Sequence, residues 1–186
     1  MHSAPEAALL AELAAGAQRV VEVGVYEASS AVVLCGVLDA GAELHLIDPF
    51  GHHPDALPAG WGATERASRR VVARASRGAD APQVVWHVER SEDTARGWTL
   101  PVDLVFVDGD HSEAGCATDW DVWHRHVAPG GHVLFHDARA SQPGGRGLPG
   151  PTAVIDRLFR GAAPEAGAGW TIAREVDRCV AVQKLP

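Results

Sequence analysis

The chain carries short runs of branched apolar residues, separated by longer segments in which apolar and polar positions are mixed. Such runs, when glycine or polar residues bound them, are typical of buried strands. Five of them cover 19–24, 43–48, 83–88, 102–107 and 131–135. Between the last two runs, apolar residues recur at helical spacing over 116–127. Strands that alternate with helices predict an α/β fold with a parallel sheet.

The two ends of the chain add one helix and one hairpin to this pattern. Ser3 and Glu6 have the spacing of a capping box, which predicts a helix that ends near Ala15. Two further strands near 170–176 and 178–183 are joined by too few residues for a crossover helix, so they should be antiparallel. We therefore predict a doubly wound, Rossmann-like, mostly parallel seven-stranded sheet with a C-terminal antiparallel hairpin.

Length and composition limit the classes to which the protein can belong. Residues 1–186 suit a single domain, with an N-terminal helix within 1–18 and the functional core over 19–183. The net charge of −8 disfavours nucleic acid as a partner, because phosphate binding depends on Lys and Arg. No apolar run approaches the ~18 residues that span a bilayer, so we expect no membrane segment. Three widely spaced cysteines without a CxxC pair indicate reduced thiols and a cytoplasmic protein.

Ionisable residues stand directly after two of the predicted strands. The fourth strand runs into Asp108, Asp110 and His111, and the fifth runs into His136 and Asp137. The carboxyl ends of parallel strands line the ligand crevice of an open α/β sheet. We therefore expect these side chains to face a shared site and to carry its chemistry.

The first turn from strand to helix suits a nucleoside ligand. Gly24 lets the backbone approach a ligand closely, and the following helix N-terminus supplies donors and positive potential. The later glycines of the GxGxxG fingerprint are absent, which argues against a bound pyrophosphate. Asp48 ends the second strand, where a carboxylate typically accepts hydrogen bonds from ribose hydroxyls. Together these features predict recognition of adenosine without pyrophosphate.

The ordered set of these motifs resembles that of the class I S-adenosylmethionine-dependent methyltransferases. Glu22-x-Gly24 resembles their first motif, and Asp48 resembles their ribose acid. A more specific resemblance is to the branch with macrolide and aminocoumarin sugar O-methyltransferases. It lies in Asp108-Gly109-Asp110-His111-Ser112, Ala128-Pro129-Gly130-Gly131 and Phe135-His136-Asp137. The resemblance covers residues 19–183 and implies methylation of a hydroxyl on a small molecule, such as a sugar or a natural-product intermediate.

The resemblance also implies which residues contact S-adenosylmethionine. A carboxylate at the position of Glu22 holds the methionine amino group, the Gly24 backbone lies along the cofactor, and Ser91 lies near the adenine. The full set of expected cofactor contacts is Glu22, Gly24, Tyr26, Ser30, Asp48, Ser91 and Asp108.

A divalent cation at the strand ends is a further implication of the resemblance. In metal-dependent relatives the ligands correspond to Asp108 and to an acidic pair after the fifth strand, where this chain has His136 and Asp137. Mg²⁺ prefers a shell of oxygen ligands, whereas Mn²⁺, Fe²⁺ or Zn²⁺ accepts an imidazole. At this point it stays open whether the three residues bind a cation or serve acid–base chemistry alone.

Removal of the acceptor proton requires a base, and relatives use the position of either Asp110 or His111. Histidine needs little change in its pKa to act near neutral pH, whereas aspartate needs burial or a metal-bound substrate. We favour His111, with Asp110 as the alternative. Two residues after the fourth strand also have structural interpretations. Asp108 could cap the next helix, and His111 could be an ordinary loop residue.

Two other functions stay open from the sequence alone. A non-catalytic cofactor-binding module would use the same nucleoside contacts without turnover. A metal-dependent hydrolase would use Asp108, His111, His136 and Asp137. The first turn and Asp48 would then have no function.

We expect loops 49–62 and 138–151 to form the wall around a small-molecule acceptor. A second copy of the chain could close the open side of this site as a homo-oligomer.

Overall fold

A computed structural model describes residues 2–51, 65–161 and 164–186 of the chain. Its strands are β1 (Arg19–Val23), β2 (Glu43–Ile47), β3 (Gln83–His87), β4 (Val102–Val107), β5 (Val127–Phe135), β6 (Trp170–Val176) and β7 (Cys179–Lys184). Its α-helices are α1 (Ala4–Ala14), α2 (Ser29–Val37), α3 (Glu65–Ala75), α4 (Ser91–Arg96), α5 (Glu113–Trp123) and α6 (Pro149–Ile155). Short 3-10 helices cover His124–His126 and Gly167–Gly169, and a π-helix covers Asp156–Arg160.

The strands form a seven-stranded sheet in the order β3-β2-β1-β4-β5-β7-β6. The strands from β1 to β5 run parallel, whereas β7 lies antiparallel between β5 and β6. The strand order reverses at the β1–β4 pair, so the carboxyl ends of these two strands flank the crevice in which such sheets bind ligands. The predicted doubly wound sheet with a C-terminal antiparallel hairpin is therefore confirmed.

Apolar side chains cover both faces of the sheet. On one face, Leu10 of α1 and Leu34 of α2 belong to the same buried cluster as Phe106 of β4. On the other face, Trp123 of α5 joins Val105 of β4 in a second buried cluster. Successive strand residues point to opposite faces, so a strand between two apolar layers places its polar residues mainly at its ends.

Helix α1 begins at the capping box that the sequence predicts. Ser3 Oγ accepts a hydrogen bond from Glu6 N at 3.3 Å, and the Glu6 carboxylate accepts one from Ser3 N at 2.8 Å. The box satisfies two amide groups that lack partners inside the helix. Glu6 is nevertheless buried, because its carboxylate also contacts the residue after β5 and the tip of the β6–β7 hairpin.

The start of β5 differs from the sequence prediction. This strand begins at Val127, although the glycines at 130 and 131 indicated a turn before the strand. Val127 pairs with Val102, and the register then shifts before the regular pairing resumes at His132. Gly130 accommodates the irregularity with a φ of 82°, a conformation that glycine adopts without strain.

Two short helices, α4 and α6, lie outside the elements that the pattern of apolar residues predicts. The pattern of apolar residues does not predict α4, because a helix of six residues is too short to show helical periodicity. Helix α6 begins at Pro149, since proline suits the first turn of a helix and Leu148 before it is extended. The residues after it continue as the π-helix over Asp156–Arg160.

Within the described ranges, no helix combines the length and the apolarity that a membrane crossing requires. Cys35, Cys116 and Cys179 are buried and free. Burial raises the pKa of each of these thiols, which keeps them in the neutral and unreactive form.

Candidate active site

The polar residues at the strand ends converge at one edge of the sheet. Asp108 N donates a hydrogen bond to Val23 O at 2.8 Å, and His136 N donates one to Val107 O at 3.0 Å. The hydrogen-bond ladder of the sheet thus continues one residue beyond β4 and β5. The backbone that carries Asp108 and His136 is therefore as well fixed as the strands themselves.

Gly24 brings the turn between β1 and α2 against the residue that follows β4. Its φ is 88°, and a Cβ at this position would lie 2.2 Å from the carbonyl oxygen of Asp108. Glycine alone combines this backbone conformation with so close an approach. The turn that we predict to bind a nucleoside and the strand-end residues that we predict to carry the chemistry therefore meet at Gly24 and Asp108.

Replacing Gly24 with alanine is expected to lower the free energy of unfolding by about 2 kcal/mol or more, because strain and a steric clash combine. Gly41 offers a matched control, since it has the same φ of 88° and no atom within 4 Å of an added Cβ. Gly41→Ala should show the smaller cost of strain alone in urea denaturation. Equal losses in the two variants would contradict the close approach to Asp108.

Asp48 organises the same turn from the end of β2. One of its carboxylate oxygens accepts hydrogen bonds from Val25 N and Tyr26 N at 2.9 Å each, and the other accepts one from Phe50 N at 2.7 Å. Tyr26 has a left-handed φ of 47°, and its side chain is half exposed. A carboxylate has about four acceptor positions, so Asp48 can hold the turn and still accept a ribose hydroxyl.

Glu22 presents an unpaired carboxylate oxygen at the end of β1. Its side chain is completely buried, Oε1 accepts a hydrogen bond from Ser30 Oγ, and Oε2 has no hydrogen-bond partner among the described residues. Burial, with smaller contributions from the nearby charges of Asp108 and Asp48, raises the pKa of Glu22 to about 8. A buried carboxylate without a cation is costly, so this oxygen is suited to a cationic ligand group.

Ser91 is the first residue of α4, and it links this helix to α5. Its hydroxyl accepts a hydrogen bond from Trp123 Nε1 at 2.9 Å, and the residue is buried. The structure thus places Ser91 at the end of the loop that follows β3 and gives its side chain a structural partner, whereas its contact with adenine stays a prediction.

Four side chains from the ends of β4 and β5 form one cluster, which consists of Asp108, His111, His136 and Asp137. His136 Nδ1 lies 2.9 Å from Asp108 Oδ1 and 3.3 Å from Asp137 Oδ2. His111 Nε2 lies 3.3 Å from the same oxygen of Asp108 and 3.4 Å from the same oxygen of Asp137. We call these four residues the strand-end cluster.

The charges of the strand-end cluster stabilise one another. Burial alone would raise the pKa of Asp108 and Asp137, but their contacts with His111 and His136 outweigh it and lower both values. Contacts with the two carboxylates raise the pKa of His111 to about 9. Burial opposes protonation of His136, yet the same carboxylates raise its pKa to about 9. In the protein alone, the contacts within the cluster therefore favour the carboxylate forms of Asp108 and Asp137 and the protonated forms of His111 and His136.

The geometry of the strand-end cluster fits a divalent cation. The oxygen–nitrogen separations of 2.9 to 3.4 Å are close to those between neighbouring ligand atoms around a cation bound at roughly 2.0–2.2 Å. His136 is buried, and neither of its ring nitrogens makes a well-directed hydrogen bond to any described residue. The imidazole and carboxylate groups of the strand-end cluster suit Mn²⁺, Fe²⁺ or Zn²⁺ better than Mg²⁺.

Asp110 lies outside this cluster. Its Oδ1 accepts a hydrogen bond from Ser112 N at 2.8 Å, and its side chain is packed against Gly115 in the first turn of α5. The N-cap of α5 is Ser112, whose hydroxyl accepts a hydrogen bond from Gly115 N at 3.0 Å. The structure therefore does not support helix capping as the role of Asp108, and it gives Asp110 a role in shaping the loop.

One of the two loops expected to line the acceptor packs directly on the strand-end cluster. Leu148 N donates a hydrogen bond to Asp137 O at 2.8 Å, and a Cβ at Gly150 would lie 2.3 Å from His111 O. The start of α6 thus closes one side of the cluster. Most of the other loop, from residue 52 to residue 62, lies outside the described residues.

Three residues near the strand-end cluster are not predicted from the sequence. His2 Nε2 lies 3.4 Å from Asp108 Oδ2, and its ring packs against Phe106 and His136. Glu6 and Arg178 contact His136 and Asp137 from the side of α1 and the β6–β7 hairpin. No local motif marks them as site residues, because the capping box already accounts for Glu6 and the three residues reach the site from opposite ends of the chain.

Comparisons with known proteins show a family and a shared fold. Residues 21–138 match a family described as Methyltransferase domain. The O-methyltransferase TomG from Streptomyces achromogenes, which is involved in tomaymycin synthesis and was solved with SAM, has 19% identity and a TM-score of 0.72 over 100% of this chain and 82% of its own. Cofactor-bound Rv0187 from MTB has 18% identity and a TM-score of 0.69 over 99% and 81% of the two chains. The O-methyltransferase from Bacillus cereus in complex with SAH has 16% identity and a TM-score of 0.65 over 99% and 83%.

At these levels of identity, the structural similarities show a shared fold. The family match shows to which family the chain belongs. The matched segment begins in β1 and ends directly after Asp137, so it contains the first turn, Asp48 and the strand-end cluster. Membership of a methyltransferase family favours the methyltransferase interpretation over a hydrolase or a non-catalytic module. The chain belongs to the class I S-adenosylmethionine-dependent methyltransferases.

Proposed function

We propose that this protein transfers the methyl group of S-adenosylmethionine to a hydroxyl group of a small molecule, and that a divalent cation at the strand-end cluster assists the reaction. A sugar or another natural-product intermediate is the acceptor class that we propose. The observation that carries the proposal is the contact of Gly24 with Asp108, because it joins a nucleoside-binding turn to a polar cluster. The O-methyltransferases TomG and that of Bacillus cereus share the fold and were solved with SAM and SAH, which supports the proposal.

The cofactor would lie along the turn between β1 and α2. Glu22 Oε2 is buried and unpaired within the described part of the chain, so it can accept the ammonium group of the methionine end. Asp48 would accept the ribose hydroxyls while it holds the turn. Tyr26, Ser30, Ser91 and Asp108 complete the contacts that we propose.

The strand-end cluster would serve the acceptor. Methyl transfer requires the acceptor oxygen in line with the sulfonium methyl group, and it requires removal of the hydroxyl proton. Asp108, His136 and Asp137 would hold the cation. When bound, the cation would compete with protons for the cluster, orient acceptor oxygens and lower the pKa of the acceptor hydroxyl.

His111 is the base that we propose, in the neutral form that a cation bound to Asp108 and Asp137 would favour by displacing its proton. Its side chain is 38% exposed, so an acceptor can reach it from the crevice, unlike the buried His136. The carboxylates of Asp108 and Asp137 lie within 3.4 Å of its Nε2 and would stabilise the imidazolium group that forms when it takes a proton. Asp110 is held by Ser112 N and is the weaker candidate.

Isothermal titration calorimetry with S-adenosylhomocysteine tests the cofactor half of this proposal without knowledge of the acceptor. We expect one binding site per chain with a dissociation constant in the micromolar range. The absence of heat at high micromolar ligand concentrations would contradict the proposal.

A further inference from the structure

We propose that Glu6 and Arg178 are positioning residues for the strand-end cluster, with Glu6 orienting His136 and Arg178 orienting Asp137. The inference rests on the proposed function, since it assigns the two cluster residues to a bound cation. It adds residues that come from α1 and from the β6–β7 hairpin, two elements outside the strand ends.

Glu6 and a partly buried Arg178 form an ion pair at the N-terminus of α1. Glu6 Oε1 accepts hydrogen bonds from Arg178 N at 3.0 Å and Arg178 Nε at 3.1 Å, and Oε2 accepts one from Arg178 Nη2 at 3.1 Å. The Glu6 side chain is fully buried. Burial would raise the pKa of Glu6, but the bonds from Arg178 outweigh it and lower the value to about 2. The hydrogen bonds from Arg178 and from Ser3 N hold the Glu6 carboxylate in one position as an acceptor.

This acceptor faces the side of His136 that points away from the cluster. Glu6 Oε2 lies 3.5 Å from His136 Nε2, whereas Nδ1 of the same ring lies 2.9 Å from Asp108 Oδ1. An imidazole that ligates a cation through one nitrogen carries its proton on the other, and a carboxylate behind that proton fixes the ring and its tautomer. Glu6 is the carboxylate on that side of the ring, at an ion-pair distance of 3.5 Å that a small rotation of the ring on binding a cation would convert into a hydrogen bond.

Arg178 supports the neighbouring ligand in a similar way. Its Nη1 lies 3.2 Å from Asp137 Oδ1, and its carbonyl oxygen accepts a hydrogen bond from Ala138 N at 2.8 Å. Asp137 has a φ of 53°, a left-handed conformation that costs free energy for a residue other than glycine. This conformation needs support from its surroundings, and Arg178 supplies it on both the side chain and the backbone.

A glutamate–arginine network on the same hairpin provides a matched control. Glu175 of β6 accepts hydrogen bonds from Arg139 Nε at 2.9 Å and from Arg160 Nη2 at 2.5 Å. Glu175→Gln therefore breaks a glutamate–arginine network of similar size without contacting His136 or Asp137. Ser3→Ala is a second control, because it removes the side-chain cap of α1 and the hydrogen bond from Ser3 Oγ to Asp177, whereas the bond from Ser3 N to the Glu6 carboxylate does not depend on the side chain.

The test is calorimetric titration of each variant with Mn²⁺ alone and, separately, with S-adenosylhomocysteine. Glu6→Gln should weaken Mn²⁺ binding by about 10–100-fold, which is typical for loss of a group that orients a metal ligand. S-adenosylhomocysteine binding should be unchanged. Glu175→Gln and Ser3→Ala should lower the melting temperature without changing the Mn²⁺ affinity.

Arg178→Lys keeps the positive charge but loses the planar fork, and it should weaken Mn²⁺ binding even if Glu6→Gln fails to fold. Wild-type affinity for Mn²⁺ in whichever of these two variants folds would overturn the inference. Failure of the wild-type protein to bind Mn²⁺ would instead overturn the cation part of the proposed function, so the two failures are distinguishable.

Discussion

Replacement of Glu22 with glutamine is expected to weaken S-adenosylhomocysteine binding by roughly 30-fold or more, which corresponds to about 2 kcal/mol. The reason is the buried and unpaired Oε2, which would otherwise meet the ammonium group of the ligand. Glutamine has the same shape and still accepts a hydrogen bond from Ser30, so the loss should come from the charge. Calorimetric titration measures it, with Glu12→Gln as the control, because Glu12 pairs with Arg174 on the surface.

The same substitution should change the pH dependence of stability in a defined direction. The pKa of Glu22 is raised from 4.5 to about 8 by folding, so between these values the folded protein retains a proton that the unfolded chain releases. The contribution of Glu22 to stability is therefore present below pH 4.5 and is lost as the pH rises towards 8. Relative to wild type, Glu22→Gln should gain stability over this interval in urea denaturation while it loses ligand affinity.

Ligand binding should also release a proton from Glu22 near neutral pH, since the ammonium group pairs with the ionised form. Titrations in two buffers with different ionisation enthalpies should give different heats for the wild type and equal heats for Glu22→Gln. Equal heats for both proteins, or an affinity of Glu22→Gln within about twofold of wild type, would show that the ligand does not contact this carboxylate.

The second large effect is expected at His111. His111→Ala should lower kcat by about 10²–10⁴-fold at saturating cofactor and cation, because a general base contributes this range. Asp110→Asn should lower kcat by about tenfold or less, because the Asp110 carboxylate already accepts a hydrogen bond from Ser112 N, the N-cap of α5. The measurement is initial-rate kinetics with the best acceptor from a panel of hydroxylated small molecules.

His111 belongs to the strand-end cluster, so its replacement could also weaken cation binding. Saturating cation in the assays of His111→Ala and Asp110→Asn separates an effect on proton removal from an effect on cation binding. A loss of kcat below about tenfold for His111→Ala would exclude it as the base. A larger loss for Asp110→Asn than for His111→Ala would reverse the assignment of the two residues.

The arrangement of strands and most helices can be predicted from the sequence because its signals are local. Each buried strand is a short apolar run with a polar boundary, and the final two runs are too close together for a crossover. The strand-end cluster is predictable for the same reason, since its four members directly follow two strands that are neighbours in the sheet. Helix α4 and the start of β5 escape this reasoning because one is short and the other contains a register shift.

The residues that surround the strand-end cluster could not be predicted from the sequence. Glu6 and Arg178 are 172 positions apart, and the capping box already explains a glutamate at position 6. His2 carries no motif at all. Asp48 differs from these residues, because the sequence predicts it as a ribose contact. Only the structure shows its hydrogen bonds to Val25 N and Tyr26 N of the turn. Contacts between distant parts of the chain depend on how the layers pack, which a local pattern does not specify.

The most direct test of the proposed function is the rate of methyl transfer from S-adenosylmethionine before and after removal of divalent cations. The assay would use the same acceptor panel, with S-adenosylhomocysteine formation as the readout. The cluster of two carboxylates and two imidazoles predicts that chelation abolishes transfer and that Mn²⁺ restores it better than Mg²⁺. Transfer at an undiminished rate after complete removal of divalent cations would contradict a cation-assisted O-methyltransferase.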